Sequence, residues 1–223
     1  MYSFLRYLFF FDNSKYCDLR IKNLFDNSII IFTSDNGGYY GKITMHKPLR
    51  AGKGSYYEGG IRVPFLFHWK GKIKNGINNT SPISHLDIFP TIMDAIGDHS
   101  MDNEFDGNSI LNSLINGTEV KERSLFWHFP IYLQGYNIKD NENRDSLFRT
   151  RPGSIIRKGD WKLHYYFEDN GIELYNLKKD VGEKKDLSKS ETEKASELMG
   201  DLQSWWEETN APIPSELNPD FEL

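Results

Sequence analysis

One apolar run constrains this chain more than any other feature. Ser28-Ile29-Ile30-Ile31-Phe32-Thr33 strings β-branched residues together without polar alternation. Such a run fits a strand buried on both faces, as in a parallel sheet. The polar, glycine-rich Ser34-Asp35-Asn36-Gly37-Gly38 follows at once, so the strand ends in a loop suited to ligands. Val63–Trp69 reads as a second strand of the same kind. Ser84–Ile96 reads as a helix, with Ser84 and Asp87 as an N-terminal capping pattern and Gly97 as its stop. Strand, long loop, strand and helix predict an α/β layer sandwich.

The second half is different. Leu125–Phe129, Gly153–Arg157, Trp161–Phe167 and Ile172–Leu177 are short strand candidates. Lys158-Gly159-Asp160 and Asp169-Asn170-Gly171 separate the last three with hairpin-turn chemistry. They predict a small antiparallel sheet. A helix is expected over residues 191–208, opened by a Ser190/Glu193 capping box and closed by Pro212 and Pro214. Its Ala195, Leu198, Met199, Leu202, Trp205 and Trp206 recur at helical spacing, as a face packed on the sheet would. The boundary between the halves is expected within 98–124, giving units of 1–110 and 111–223. The polar stretch Asn137–Arg151 reads as a mobile surface loop.

Composition excludes some classes. With 223 residues, 38% hydrophobic and 26% charged, the chain is neither collagen-like nor wholly disordered. A net charge of −5 gives nucleic acid no electrostatic support. A single cysteine excludes an internal disulfide framework. The N-terminal run Met1–Phe11 is too short to span a bilayer. It has the length of a signal-peptide core, but Arg6 interrupts it and no small-residue cleavage site follows. It reads as a buried segment or as the start of a truncated frame.

Three blocks can carry chemistry. Asp35 offers a carboxylate and Asn36 a carbonyl oxygen, hard donors suited to Ca²⁺ or Mg²⁺. The same residues are also ordinary turn chemistry, and two donors fall short of the ~6–8 that calcium takes. In Pro48-Leu49-Arg50-Ala51-Gly52-Lys53-Gly54-Ser55 a lysine lies between glycines, where it can approach an anion closely, but the Walker spacing is absent. In Tyr57-Glu58-Gly59-Gly60-Ile61-Arg62-Val63-Pro64, Glu58 and Arg62 are spaced to pair and fix the loop. His46 lies on the same loop as Lys53. His128, beside Trp127 and near Tyr132, is placed either to bind a sugar or to serve as a hydrogen-bonded structural histidine. His68, His85, His99 and His164 read as background.

Taken in order, these blocks closely resemble the formylglycine-dependent sulfatases of the alkaline-phosphatase superfamily. The resemblance runs through Asp87-Ile88-Phe89-Pro90-Thr91, Arg157-Lys158-Gly159-Asp160-Trp161-Lys162-Leu163 and Glu173-Leu174-Tyr175-Asn176-Leu177. It covers nearly everything from about residue 17 onward. It implies the C-terminal part of an alkaline-phosphatase-like α/β sandwich, followed by a small antiparallel-sheet-plus-helix subdomain. It also implies hydrolysis of sulfate esters, with sulfated carbohydrates as substrate. Asp35 and Asn36 match ligands of the family's divalent cation, usually Ca²⁺, and Lys53 matches the lysine that contacts the sulfate. His46 and His128 are weaker substrate-binding candidates. Periplasmic, extracellular or lysosomal location is usual in the family.

The departures matter as much. The family's nucleophile is a Cys or Ser in a Cys/Ser-x-Pro/Ala-x-Arg motif, converted to formylglycine. Here Cys17-Asp18-Leu19-Arg20 lacks the Pro or Ala, so Cys17 is not assigned that role. The family's early metal-binding aspartates have no room before Asp35. A chain missing the nucleophile-bearing half is expected to be inactive alone. The competing readings are a phosphate or phosphonate ester hydrolase of the same superfamily, and a non-catalytic sugar-binding remnant.

Overall fold

The computed structural model describes residues 19–39, 44, 46–100, 105–134, 142–144, 148–216 and 218–219. The N-terminal run Met1–Phe11 and Cys17 lie outside them. The chain divides into two compact units. One takes in the described residues up to Thr33 together with Phe65–Val120. The other consists of Ser34–Pro64 and the residues from Lys121 onward.

In the first unit, β1 (Ile29–Thr33) pairs with β2 (Phe65–Trp69). The pairing is antiparallel, with Phe32 opposite Leu66 and Ile30 opposite His68. This corrects the expectation of strands buried on both faces of a parallel sheet. Among the described residues the two form a sheet of their own, and Phe32 and Leu66 are exposed on one face. The helix after residue 84 follows its sequence signals. Ser84 Oγ accepts from the Leu86 amide, and Asp87 accepts from the Ser84 amide at 2.8 Å, closing the capping box. A 3₁₀ turn (His85–Asp87) leads into α2 (Ile88–Ile96), and Gly97 ends it at φ 76°. Asp87 also accepts from Asn108 N, and Thr91 Oγ1 from Ile110 N, so the segment entering α3 (Leu111–Asn116) is tied to α2. The short α1 (Glu58–Ile61) belongs to the second unit. Among the described residues, no helix is long and apolar enough to cross a membrane.

The second unit holds a four-stranded antiparallel sheet. β3 (Ser124–Phe129), β6 (Gly153–Lys158), β7 (Trp161–Tyr166) and β8 (Gly171–Asn176) lie in the order β3-β6-β7-β8. Between β3 and β6 runs a separate pair, β4 (Leu133–Gln134) with β5 (Phe148–Thr150). β5 therefore occupies part of the stretch expected to be a mobile loop, most of which lies outside the described residues. Alternation along the strands divides the sheet into two faces. Ile156, Leu163 and Leu174 are register partners on one face. There they pack on Ala195, Leu198 and Leu202 of α4 (Thr192–Thr209), the apolar stripe expected of that helix. Phe126 stacks on Trp205 at 4.8 Å. Ile155 and His164 are partners on the opposite face, as are Arg157, Lys162 and Tyr175.

The ends of α4 depart from expectation. Ser190 Oγ donates to Leu187 O at 3.2 Å, and no side chain caps the helix at Glu191. The expected Ser190/Glu193 box is therefore not formed. At the other end Asn210 adopts φ 49° and stops the helix before Pro212 is reached. The expected boundary at residue 110 also differs from the observed division. Ser34–Pro64 joins the second unit because that loop is bonded to the inner face of the four-stranded sheet, as described next.

The exposed Phe32/Leu66 pair should bind hydrophobic dyes. The double variant Phe32→Thr, Leu66→Thr is expected to reduce dye fluorescence by at least half without lowering the melting temperature of the four-stranded sheet. Dye fluorescence and circular-dichroism melts measure both.

Candidate functional site

Two loops of the second unit carry Asp35, Asn36 and Lys53, and backbone hydrogen bonds lace them together. Gly37 N donates to Gly60 O at 2.7 Å, and Lys53 N donates to Gly38 O at 2.9 Å. Gly59 N donates to Arg50 O at 2.8 Å. Glycine is required where these chains touch. A Cβ on Gly37 would fall 1.8 Å from Gly59 O, and one on Gly59 would fall 2.3 Å from Arg50 O and Ala51 O. Gly37, Gly59 and Gly60 thus encode contact between backbones rather than flexibility.

This lacing brings the Asp35-Asn36 turn and Lys53 to one place in the fold. Ser34 Oγ donates to Asn36 O at 2.8 Å, and the Asn36 amide donates to the Asp35 carboxylate. Asp35 and Lys53 are both exposed. His46 is brought to the same place: its Cε1 would lie 2.9 Å from a Cβ on Gly38, whose carbonyl receives the Lys53 amide. Burial lowers the His46 pKa and favours its neutral form. The second histidine is used otherwise. His128 Nε2 donates to Pro212 O at 3.0 Å, which leaves Nδ1 to accept from Ser154 Oγ at 2.5 Å. Trp206 Nε1 donates to the same hydroxyl. With both ring nitrogens engaged, His128 fastens the segment after α4, the hydrogen-bonded structural role that its sequence setting also allows.

A buried charge cluster, of which the sequence singles out only Glu58 and Arg62, holds the Lys53 loop on the sheet. Lys162 Nζ lies 3.0 Å from Glu58 Oε1 and 2.9 Å from Glu183 Oε1, and all three side chains are shielded from solvent. Glu183 Oε2 accepts from Glu58 N at 2.6 Å, at the start of α1. His164 Nε2 is 3.3 Å from Glu183 Oε1. Glu58 also meets Arg62 at 3.5 Å and Arg157 at 3.8 Å. The anticipated Glu58–Arg62 pair is therefore present, but Lys162 is the closer partner. Nearby, Arg50 lies over the Tyr57 ring at 3.8 Å and donates to Tyr175 Oη and Glu183 O. Tyr57 Oη donates to Glu173 at 2.7 Å. The missed residues had a signal: in Trp161-Lys162-Leu163-His164-Tyr165-Tyr166, Lys162 and His164 share the parity opposite to the core residue Leu163.

The electrostatics follow from this packing. Burial alone would push the Glu183 carboxyl up, but the Lys162 ammonium and His164 hold it down at about 2. Burial lowers His164, outweighing the pull of Glu183 toward the charged form. Glu183 holds a left-handed φ of 49° in its buried setting, a conformation kept only where the surroundings fix it.

The donor chemistry of Asp35 and Asn36 fits a hard divalent cation. Once its amide turns its oxygen outward, Asn36 offers a second oxygen beside the carboxylate. Among the described residues there is no group of three or more His, Cys, Asp or Glu side chains that could hold a metal, and two oxygens alone fall short of the ~6–8 that calcium takes.

Residues 17–98 match the family model named Sulfatase. The chain is 36% identical over 203 residues to a sulfatase from Formosa agariphila, covering 84% of this chain and 34% of that protein. It is 29% identical to an N-acetylgalactosamine-6-O-sulfatase from Bacteroides thetaiotaomicron, over 81% of this chain and 37% of that one. Its fold superposes with a TM-score of 0.68 on Ps i-CgsB in complex with k-i-k-neocarrahexaose, at 29% identity, covering 91% of this chain and 41% of that structure. The class is thus an alkaline-phosphatase-like α/β fold, and the chain belongs to the sulfatase family. It spans little more than a third of the length of these curated relatives.

Removing Lys162 strands two buried carboxylates, whereas removing the Glu183 charge leaves Lys162 paired with Glu58. Lys162→Met should therefore cost about 3–5 kcal/mol of unfolding free energy and Glu183→Gln clearly less, by urea denaturation. Acid should act on the same cluster. Unfolded His164 takes up a proton below about pH 6.5 that the folded protein refuses, and ionised Glu183 ceases to favour the folded state as pH falls from about 4.5 through 2. Stability should decline below pH about 6.5 and more steeply below about 4.5. The pH slope of the melting temperature should flatten in Glu183→Gln.

Proposed function

We propose that the protein to which this chain belongs is a sulfuric ester hydrolase acting on sulfated carbohydrates, and that the chain supplies one wall of its sulfate pocket. The supporting observation is the Lys53 N to Gly38 O hydrogen bond, which joins the lysine loop to the Asp35-Asn36 turn. Lys53 contacts a sulfate oxygen. Cleavage of the S–O bond places negative charge on the leaving oxygen, and an ammonium near it favours that change over the ground state. At ~4 Å and an effective dielectric of ~20 such a pair is worth on the order of 4 kcal/mol. Asp35 and Asn36 hold a divalent cation, Ca²⁺ or Mg²⁺, which when bound neutralises sulfate charge. His46, neutral and packed on Gly38, offers a ring nitrogen to a sugar hydroxyl. The nucleophile, a formylglycine by family resemblance, lies outside the described residues, which contain no cysteine.

Carbohydrate as the ester's alcohol is supported by two likenesses. One relative is named for N-acetylgalactosamine 6-O-sulfate, and one solved neighbour binds a neocarrahexaose. A phosphate ester is the alternative with the same charge logic.

Calorimetry of the chain with N-acetylgalactosamine 6-sulfate and with the 6-phosphate, in calcium, separates these. The sulfate should bind more tightly, with affinity falling at least tenfold in Lys53→Ala and also on chelation of calcium. Tighter phosphate binding, or unchanged sulfate affinity in Lys53→Ala, contradicts the proposal.

A further inference from the structure

We propose that Asn75 is a site of spontaneous covalent modification, at which the chain converts its own carboxamide into aspartate and isoaspartate. Four Asn-Gly steps occur in the sequence: Asn36-Gly37, Asn75-Gly76, Asn116-Gly117 and Asn170-Gly171. Glycine has no Cβ to shield its own nitrogen, so each step sets an accessible amide beside a side-chain carbonyl carbon. The fold clamps three of the four on both reacting groups. Asn36 Nδ2 donates to Asp35, and Gly37 N donates to Gly60 O at 2.7 Å. Asn116 Nδ2 donates to Asn112 Oδ1 at 2.7 Å, and Gly117 N to Ser113 O at 2.9 Å. Asn170 Oδ1 accepts from Tyr165 Oη at 2.5 Å, and Gly171 N donates to Asp169 Oδ1 at 2.9 Å. Amides held in this way react only after local opening.

Asn75-Gly76 differs on both counts. Among the described residues, neither the Asn75 side chain nor the Gly76 amide has a hydrogen-bond partner. Both residues are exposed, and a Cβ on Gly76 would meet nothing within 4 Å. The step lies at the tip of a loop tied on either side. Lys72 N and Ile73 N donate to Trp69 O, and Asn79 Nδ2 donates to Thr118 O. The reaction needs only water as co-reactant. Gly76 N gives its proton to a solvent base and attacks Asn75 Cγ. The new N–Cγ bond closes a succinimide ring, the Cγ–Nδ2 bond breaks, and Nδ2 leaves as ammonia with a proton from water. Water then cleaves one of the two ring bonds to Gly76 N. Cleavage at Cγ gives aspartate, and cleavage at the Asn75 main-chain carbon gives isoaspartate. Either product adds a negative charge to a stretch that carries Lys70, Lys72 and Lys74.

Peptide mapping by mass spectrometry of the full chain, aged in mildly alkaline buffer, follows all four steps at once. The Asn75 peptide should gain the amide-to-acid mass increase at least tenfold faster than the Asn36, Asn116 and Asn170 peptides. In urea the four rates should come within about threefold of one another, because unfolding removes the clamps. Gly76→Ala, measured in urea so that folding does not enter, should slow conversion at Asn75 at least tenfold by shielding the attacking nitrogen. Conversion at Asn75 no faster than at another Asn-Gly step of the folded chain overturns the assignment. So does a lead at Asn75 that persists undiminished in urea, which would owe nothing to the fold. An unchanged rate in Gly76→Ala overturns the succinimide route.

Discussion

A single ammonium group organises the second unit. Lys162 lies between Glu58 and Glu183 with no access to water. Three ionised groups taken from water carry a large desolvation cost, which only close geometry and further hydrogen bonds offset. Here those bonds reach the backbone of α1 through Glu58 N. The same cluster thus fixes where the chain turns after Lys53. A hydrophobic replacement would fill the space but lack directionality, and the loop would lose its register against Gly37 and Gly38.

The sheet's two faces explain how the unit can support both a core and a site. One face is apolar and packs on α4. The other carries Arg157, Lys162, His164, Glu173 and Tyr175 among aromatic rings. Loop 50–60 covers this second face, and its own glycines let the 35–38 turn come into backbone contact. An exposed lysine and an exposed carboxylate are thereby held by buried parts of the fold. That separation would suit a charged ligand: the exposed groups stay hydrated and available, while the groups that position their loops are shielded from salt and solvent.

Much of this was legible in the sequence. The hairpin turns at Gly159 and Asn170, the α4 stripe and the Ser84/Asp87 box are local signals, and the structure contains each one. The failures have a common physical origin. Ser28–Thr33 reads as doubly buried because its residues are apolar, but burial depends on which segments lie against the strand, and the strand cannot encode that alone. Ser190 was a plausible cap, yet it bonds to Leu187. His128 is bonded by Ser154 and Pro212 from distant parts of the chain, which its local sequence does not announce. Glu183 gave no local sign of its role, since its partners Glu58 and Lys162 are far away in sequence. Pairwise constraints of this kind become visible only once the backbone closes.

The buried cluster is expected to hold the 35–38 turn and the 50–60 loop as one body. Amide hydrogen exchange in Glu58→Gln against the wild type tests this most directly. The amides of Gly37, Lys53 and Gly59 should lose protection together by at least tenfold, while those of β6 and β7 keep theirs. Retained protection at Gly37 and Lys53, or a uniform loss across the whole sheet, would show that the loops are held by something other than this charge cluster.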